Sequence, residues 1–208
     1  MAKLKIYTFP DTVLTQKAAP IDRVERTLHR LADDMLETMY DAPGIGLAAN
    51  QVGILQRILV IDTEYDTEEL PEGIEPPAGV EVAAGSIIKN KKPVIVINPQ
   101  IIHKEGEICI AEGCLSVPEY TAEVKRAEKI KLQYQDIDGV GRTLLAEGLQ
   151  AVCIQHEMDH LEGKLFIERL SPLKKDMAKK RLLKERAERE ADFRASLQNG
   201  PRGKGRGF

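Results

Sequence analysis

The amino-acid sequence predicts an α+β fold: mixed and antiparallel strands around a central metal-binding helix, with a further helix at the C-terminal end. Three observations lead there. Residues 155–160 read Gln-His-Glu-Met-Asp-His, and at helical spacing His156 and His160 share one face, one turn apart. Short β-rich runs succeed one another between residues 57 and 146. From residue 173 the chain turns to strong helix formers at high charge density.

Taken in order, Asp22 and Glu25 have the spacing of a capping box, and Val24, Leu28, Leu31, Met35 and Met39 follow at helical spacing. This first helix is expected to end near Tyr40, before Pro43. Strands are expected over 57–62, 94–98, 107–110 and 129–135, and Asp138-Gly139 reads as a turn into a strand over 142–146. Cys109 falls in an alternating stretch and is expected in a strand core. The metal helix is expected over 147–161, with Leu149, Val152, Cys153, His156 and His160 on its inward face. A charged helix follows over 173–197. The Gly/Arg-rich segment 199–208 is expected to be disordered.

At 208 residues and 42% hydrophobic, the chain has the size and composition of one globular domain. Aromatic residues are 4% and Trp is absent, so the core must rest on Ile, Leu, Val and Ala. The organisation expected is a catalytic domain over 1–172 with an acidic inserted loop at 63–93, a basic helix over 173–198 and the tail. No apolar signal region or membrane-length run is present, and no Cys-x-x-Cys pair occurs among the three cysteines. A cytoplasmic protein without disulfides is expected. The net charge of −3 hides an asymmetry: residues 171–208 hold 12 Lys/Arg against 5 Asp/Glu, a net of +7, which leaves −10 on the rest. That division points to an anionic partner for the tail.

A catalytic metal site of this type takes three protein ligands and leaves one position open. His156 and His160 supply two. A third histidine six residues on is excluded, because position 166 is Phe, but the carboxylates of Glu168, Asp176 and Glu185 remain available. So does Cys114, in Glu112-Gly113-Cys114-Leu115-Ser116-Val117-Pro118, where Gly113 permits a close backbone and Pro118 is expected to stop regular pairing. Cys153, three residues before His156, reads more simply as a small packing residue. Glu157 lies off the line of the two histidines, in place to handle a proton. Residues 44–51 read Gly-Ile-Gly-Leu-Ala-Ala-Asn-Gln. A helix precedes this stretch, and Ala49 stands where a dinucleotide fingerprint needs glycine, so a nucleotide loop is disfavoured. Its small side chains instead let a substrate backbone lie close, with the Gln51 amide available to an oxyanion.

The three segments at 44–51, 112–116 and 155–160, in this order, resemble those of the peptide deformylases, and most of residues 4–173 look like that family. The resemblance implies an enzyme that removes the formyl group from the initiator methionine of newly made bacterial or organellar proteins. It implies that Cys114, His156 and His160 hold one divalent ion, Fe2+ in the native state, with Zn2+, Ni2+ or Co2+ possible in purified protein. Glu157 is then the general base, and the Gln51 side chain and the Leu115 N–H face the oxyanion. Gly44, Ile45, Gly46 and Gly113 are expected along the substrate backbone. Ile45, Ile110, Leu149, Val152 and Cys153 are expected around the methionine side chain. The implied partners are N-formyl-Met nascent peptides and, through the basic C-terminal helix, the ribosome. Two departures stand out. The 63–93 segment is longer than in many members, and Thr121 stands where several carry an arginine. Two other classes make different demands. A zinc peptidase requires a carboxylate third ligand. A nucleic-acid or ribosome binder with a structural metal requires a closed four-ligand site, for which no fourth ligand is obvious.

Overall fold

The run Ile58-Leu59-Val60-Ile61 is apolar at every position because helices cover both faces of the strand it forms. In a computed structural model of the chain, which describes residues 3–69, 82–83 and 85–198, all four of these residues are at 0% exposure. The elements are α1 (Arg26–Asp41), β1 (Gly46–Ala48), β2 (Ile58–Ile61), β3 (Asp66–Glu69), β4 (Val82–Ala83), β5 (Ser86–Lys89), β6 (Val94–Glu105), β7 (Ile108–Cys114), β8 (Val117–Arg126), β9 (Lys129–Gln135), β10 (Gly141–Glu147), α2 (Gly148–Leu161) and α3 (Pro172–Gln198). Turns of 3-10 helix lie at Thr12–Thr15, Ala49–Val52 and Phe166–Arg169. The chain forms two compact units, residues 1–169 and 170–208.

In the first unit an antiparallel sheet runs β1-β2-β6-β9-β10. Side chains alternate across it with period two. Leu47, Ile58, Val60 and Ile97 join a core with Leu28, Ala32, Met35 and Met39 of α1. Ala48, Leu59, Ile61 and Val96 join a second core with Ala151, Cys153, Ile154 and Leu161 of α2. Helix α2 is buried on nearly all sides, so its polar residues must find partners inside. Gln155 does so by pairing its amide with both the N–H and the C=O of Ala127. A separate β7–β8 hairpin and a small sheet ordered β3-β5-β4 complete this unit. In the second unit α3 carries i,i+4 ion pairs, Arg181–Glu185, Lys184–Glu188 and Arg186–Glu190, the pattern that supports a charged helix locally.

Several expectations are corrected. The Asp22–Glu25 capping box does not form: α1 starts at Arg26 with Glu25 as N-cap and no side-chain cap bond, and Val24 lies outside the helix. The strand expected to stop at residue 98 continues to Glu105 across a bulge. Asn98, at φ +50°, turns the chain there and uses its side chain to pair with both backbone groups of Ile21. Pro118 does not end pairing but sits second in β8, where a two-stranded hairpin leaves an unpaired edge that needs no N–H. Cys109 is exposed, because the parity of β7 turns Ile108, Ile110, Glu112 and Cys114 inward and the residues between them outward. Leu149 is 49% exposed and so is not on a buried face of α2. The inserted segment 63–93 begins and ends in β3, β4 and β5, while 70–81 and 84, like the tail 199–208, lie outside the described residues.

Candidate metal centre and cleft

The inward parity of β7 and the buried face of α2 converge. Cys114 Sγ, His156 and His160 bring one ligand atom each to within 4.8 Å of one another, a group among the described residues that could hold a metal ion. Cys114 Sγ lies 3.2 Å from His160 Nε2. The His160 Nδ1 is buried and without a hydrogen-bond partner among the described residues. Burial, then the neighbouring His156, pushes the His160 pKa well below the usual histidine value, so its ring is held neutral, as a ligand requires. The sulfur also faces two donors, the Ser116 N–H at 3.4 Å and the Gln51 amide Nε2 at 3.6 Å. The Gln51 amide is oriented by its other end, whose Oε1 accepts the Ala48 N–H at 2.8 Å, and by Ser116 Oγ at 3.2 Å from Nε2.

Behind these groups lies a chain of buried charges. The Glu112 carboxylate accepts a hydrogen bond from His156 Nδ1 at 2.8 Å and takes the Arg126 guanidinium bidentately at 2.7 and 2.8 Å. Arg126 reaches on to Asp159 at 2.5 Å, and Arg169 grips the same Asp159 with two nitrogens. Burial raises the Glu112 pKa, but Arg126 and His156 outweigh it and hold it below the usual value. Burial also opposes the charge of His156, yet Cys114 and Glu112 raise its proton affinity well above normal. With Nδ1 committed to Glu112, His156 Nε2 is left for a metal, the arrangement by which a carboxylate fixes a ligating imidazole. One thiolate sulfur and two imidazole nitrogens suit a divalent transition-metal ion, and three donors leave a position open. These residues therefore fit such an ion.

The donors open on a cleft of about 480 Å³. One wall holds Gly44, Ile45, Gly46 and Gln51; a second, from the β7–β8 hairpin, holds Ile110, Gly113, Cys114 and Leu115; α2 contributes Leu149, Val152, Cys153, His156 and Glu157. Every site residue expected from the sequence is thus on the cleft except His160, which is 1% exposed. Leu149 lines it from an exposed position. Thr121 is not part of the lining and instead faces Gly113. Glu157 is 4% exposed, its Oε2 has no hydrogen-bond partner among the described residues, and burial raises its pKa to about 7. Gly46 is required beside it: a Cβ there would stand 2.5 Å from Glu157 Oε1 and 2.8 Å from Cys153 Sγ. Sequence reasoning assigns no role to Glu112, although its two-residue spacing from Cys114 on a strand is an available signal. It also misses Arg169, for which there is none.

Two histidines one turn apart and a thiol whose ligand atoms cluster, beside a cleft that a buried carboxylate lines, define a candidate metallohydrolase. Comparison with known proteins narrows this. The family model described as polypeptide deformylase matches residues 3–176. The chain is 47% identical over 189 residues to peptide deformylase 2 of Xanthomonas axonopodis pv. citri, covering 89% of this chain and 98% of that one. It is 44% identical over 191 residues to the peptide deformylase of Syntrophobacter fumaroxidans, covering 92% and 100%. Among solved structures, the peptide deformylase of Ehrlichia chaffeensis in complex with actinonin matches at a TM-score of 0.73 and 37% identity, over 89% of this chain and 98% of that one. The chain belongs to the polypeptide deformylase family. It is a hydrolase of protein biosynthesis that removes the N-formyl group from nascent peptides, and its family is metal-dependent.

Proposed function

We propose that Cys114, His156 and His160 hold the metal, natively Fe2+, and that Glu157 is the general base. The observation that carries this reading is that the ligand atoms of Cys114, His156 and His160 lie within 4.8 Å of one another and that two of these residues, Cys114 and His156, line one cleft with the buried carboxylate of Glu157. A carboxylate in that place is positioned to accept a proton from water and give it back. A divalent ion, when bound, supplies Lewis-acid chemistry and makes water a nucleophile near neutrality. Glu157 takes a proton from the water that attacks the formyl carbon and returns it to the methionine nitrogen as the C–N bond breaks and formate leaves. The Gln51 amide and the Leu115 N–H donate to the developing oxyanion, each such donor typically worth ~100-fold or more in rate. The peptide backbone lies along Gly44–Gly46 and Gly113. The methionine side chain occupies the space lined by Ile45, Ile110, Leu149, Val152 and Cys153.

Action in the cytoplasm, on chains still at the ribosome, belongs to the same reading. Its support is the net charge of +7 on residues 171–208. All three cysteines are free, and no described helix is long and apolar enough to cross a membrane.

The test is formate release from formyl-Met-Ala-Ser by anaerobically prepared, iron-loaded protein. Glu157→Gln is expected to keep its iron and lose turnover by about 100- to 10,000-fold. Undiminished formate release by that variant removes Glu157 from the mechanism, and loss of its iron makes Glu157 a ligand instead.

A further inference from the structure

The inserted segment starts at the lip of the cleft. Its third residue, Tyr65, donates a hydrogen bond from its hydroxyl to the Gly44 carbonyl at 3.0 Å. Burial, then the nearby Asp62, raises the Tyr65 pKa, so the hydroxyl remains a donor at neutral pH. The Tyr65 ring stands edge-on to Tyr40, centroids 5.1 Å apart at 86°. Tyr40 is buried and bonds Asp62 Oδ2 at 2.7 Å. The same Oδ2 accepts the Lys92 N–H at 2.7 Å, from the returning end of the insertion. The Asp62 N–H donates to the Ile45 carbonyl at 2.9 Å. Gly44 is meanwhile held at its N–H by the Met39 carbonyl at the end of α1. Tyr65 and the end of α1 therefore hold Gly44, while Asp62, itself tied to Lys92 of the returning arm, holds Ile45; both are residues of the cleft wall.

The clasp bears on one peptide plane in particular. In a trans peptide the carbonyl and the N–H point in opposite directions. A hydroxyl that holds the Gly44 carbonyl therefore fixes where the Ile45 N–H points. We propose that Tyr65 is a positioning residue, whose hydroxyl sets the Gly44–Ile45 peptide plane in the orientation that receives the backbone of the formylated peptide. This rests on the cleft being the peptide site, as proposed above. Tyr65 touches no reacting atom, so it acts on binding and not on the chemical step.

Steady-state kinetics with formyl-Met-Ala-Ser test this in three iron-loaded proteins: wild type, Tyr65→Phe and Leu149→Asp. Tyr65→Phe keeps the ring against Tyr40 and removes only the hydroxyl. Its KM is expected to rise about three- to ten-fold, the equilibrium worth of one neutral hydrogen bond, with kcat within two-fold and the thermal midpoint unchanged. Leu149→Asp puts a charge on another wall of the cleft, away from Tyr65, and reports on the cleft itself. An unchanged KM in Tyr65→Phe beside a raised KM in Leu149→Asp overturns the role of Tyr65 and leaves the cleft assignment standing. An unchanged KM in both overturns the cleft assignment and the proposal with it. A fall in kcat and thermal midpoint at constant KM makes Tyr65 a structural residue only, and also overturns the proposal.

Discussion

Cys114 and Cys153 both reach the cleft wall, yet their surroundings differ in kind. Cys114 Sγ faces a histidine nitrogen and two N–H donors. Cys153 Sγ is 3.4 Å from the Ile45 carbonyl, and its burial, then Glu157, raises its thiol pKa well above normal, so it stays protonated. A metal needs the thiolate. Cys114→Ala is therefore expected to lose most of its bound iron, and Cys153→Ala to retain about one equivalent, as read by metal analysis after gel filtration. The reverse pattern would exchange their roles. At this scale the convergence of His156, Glu157 and His160 is legible, because helical spacing alone brings them to one end of a helix. Glu112, Arg126 and Arg169 do not assemble from sequence as a unit. Glu112 bonds His156 directly from 44 residues away, Arg126 bonds Glu112 and Asp159 across 14 and 33 residues, and Arg169 joins at Asp159, links between separate elements that no local period encodes.

Helix α2 is locked to the hairpin by charge. Asp159 accepts from Arg126 at 2.5 Å and from Arg169 at 2.5 and 2.6 Å. Burial would raise the Asp159 pKa, but the two arginines hold it below its ordinary value of 3.8. A carboxylate with a depressed folded pKa stabilises the fold above its unfolded pKa, and that contribution is lost as pH falls through the folded value. Replacing Asp159 leaves Arg126 and Arg169 without one counter-charge, and breaking such a buried pair costs about 3 kcal/mol or more. In urea unfolding, Asp159→Asn is expected to be less stable than wild type at pH 7, with the difference shrinking as pH drops below about 3.8. A difference independent of pH would mean that the loss comes from packing and not from the charge. The strands carrying this network show what sequence conveys at the level of elements. The run 129–135 is legible to its true ends, because it alternates cleanly and Asp-Gly punctuation follows it. The hairpin reads short, because Gly113 resembles a break and Pro118 a terminator when only an edge N–H is forgone. The insertion strands β3 and β5 escape notice for a related reason: Asp66–Glu69 is exposed at every position, so no apolar period marks it.

Over the whole molecule, charge is divided more sharply than structure. The first 170 residues carry −10 and the last 38 carry +7, so the electrostatic free energy of the chain near a polyanion depends on which end approaches. The acidic part, which holds the cleft, is repelled by RNA phosphates, while the tail is attracted. At ~0.15 M salt the Debye length is about 8 Å, so the two ends are felt separately only at close range. Lys174, Lys180 and Arg189 lie on exposed positions of α3, away from the cleft residues in sequence. Changing all three to Glu is expected to weaken co-sedimentation with ribosomes strongly at low salt. It is also expected to lower the steepness of the log-affinity against log-salt plot by about 2 or 3, near one unit for each phosphate that a cation ceases to neutralise. Hydrolysis of a short formylated peptide should be unaffected, since such a substrate offers no run of phosphates for the basic segment to bind. Unchanged co-sedimentation across the salt range would mean that the positive charge of the tail is only a solvated surface, and that the enzyme meets its nascent substrates by diffusion.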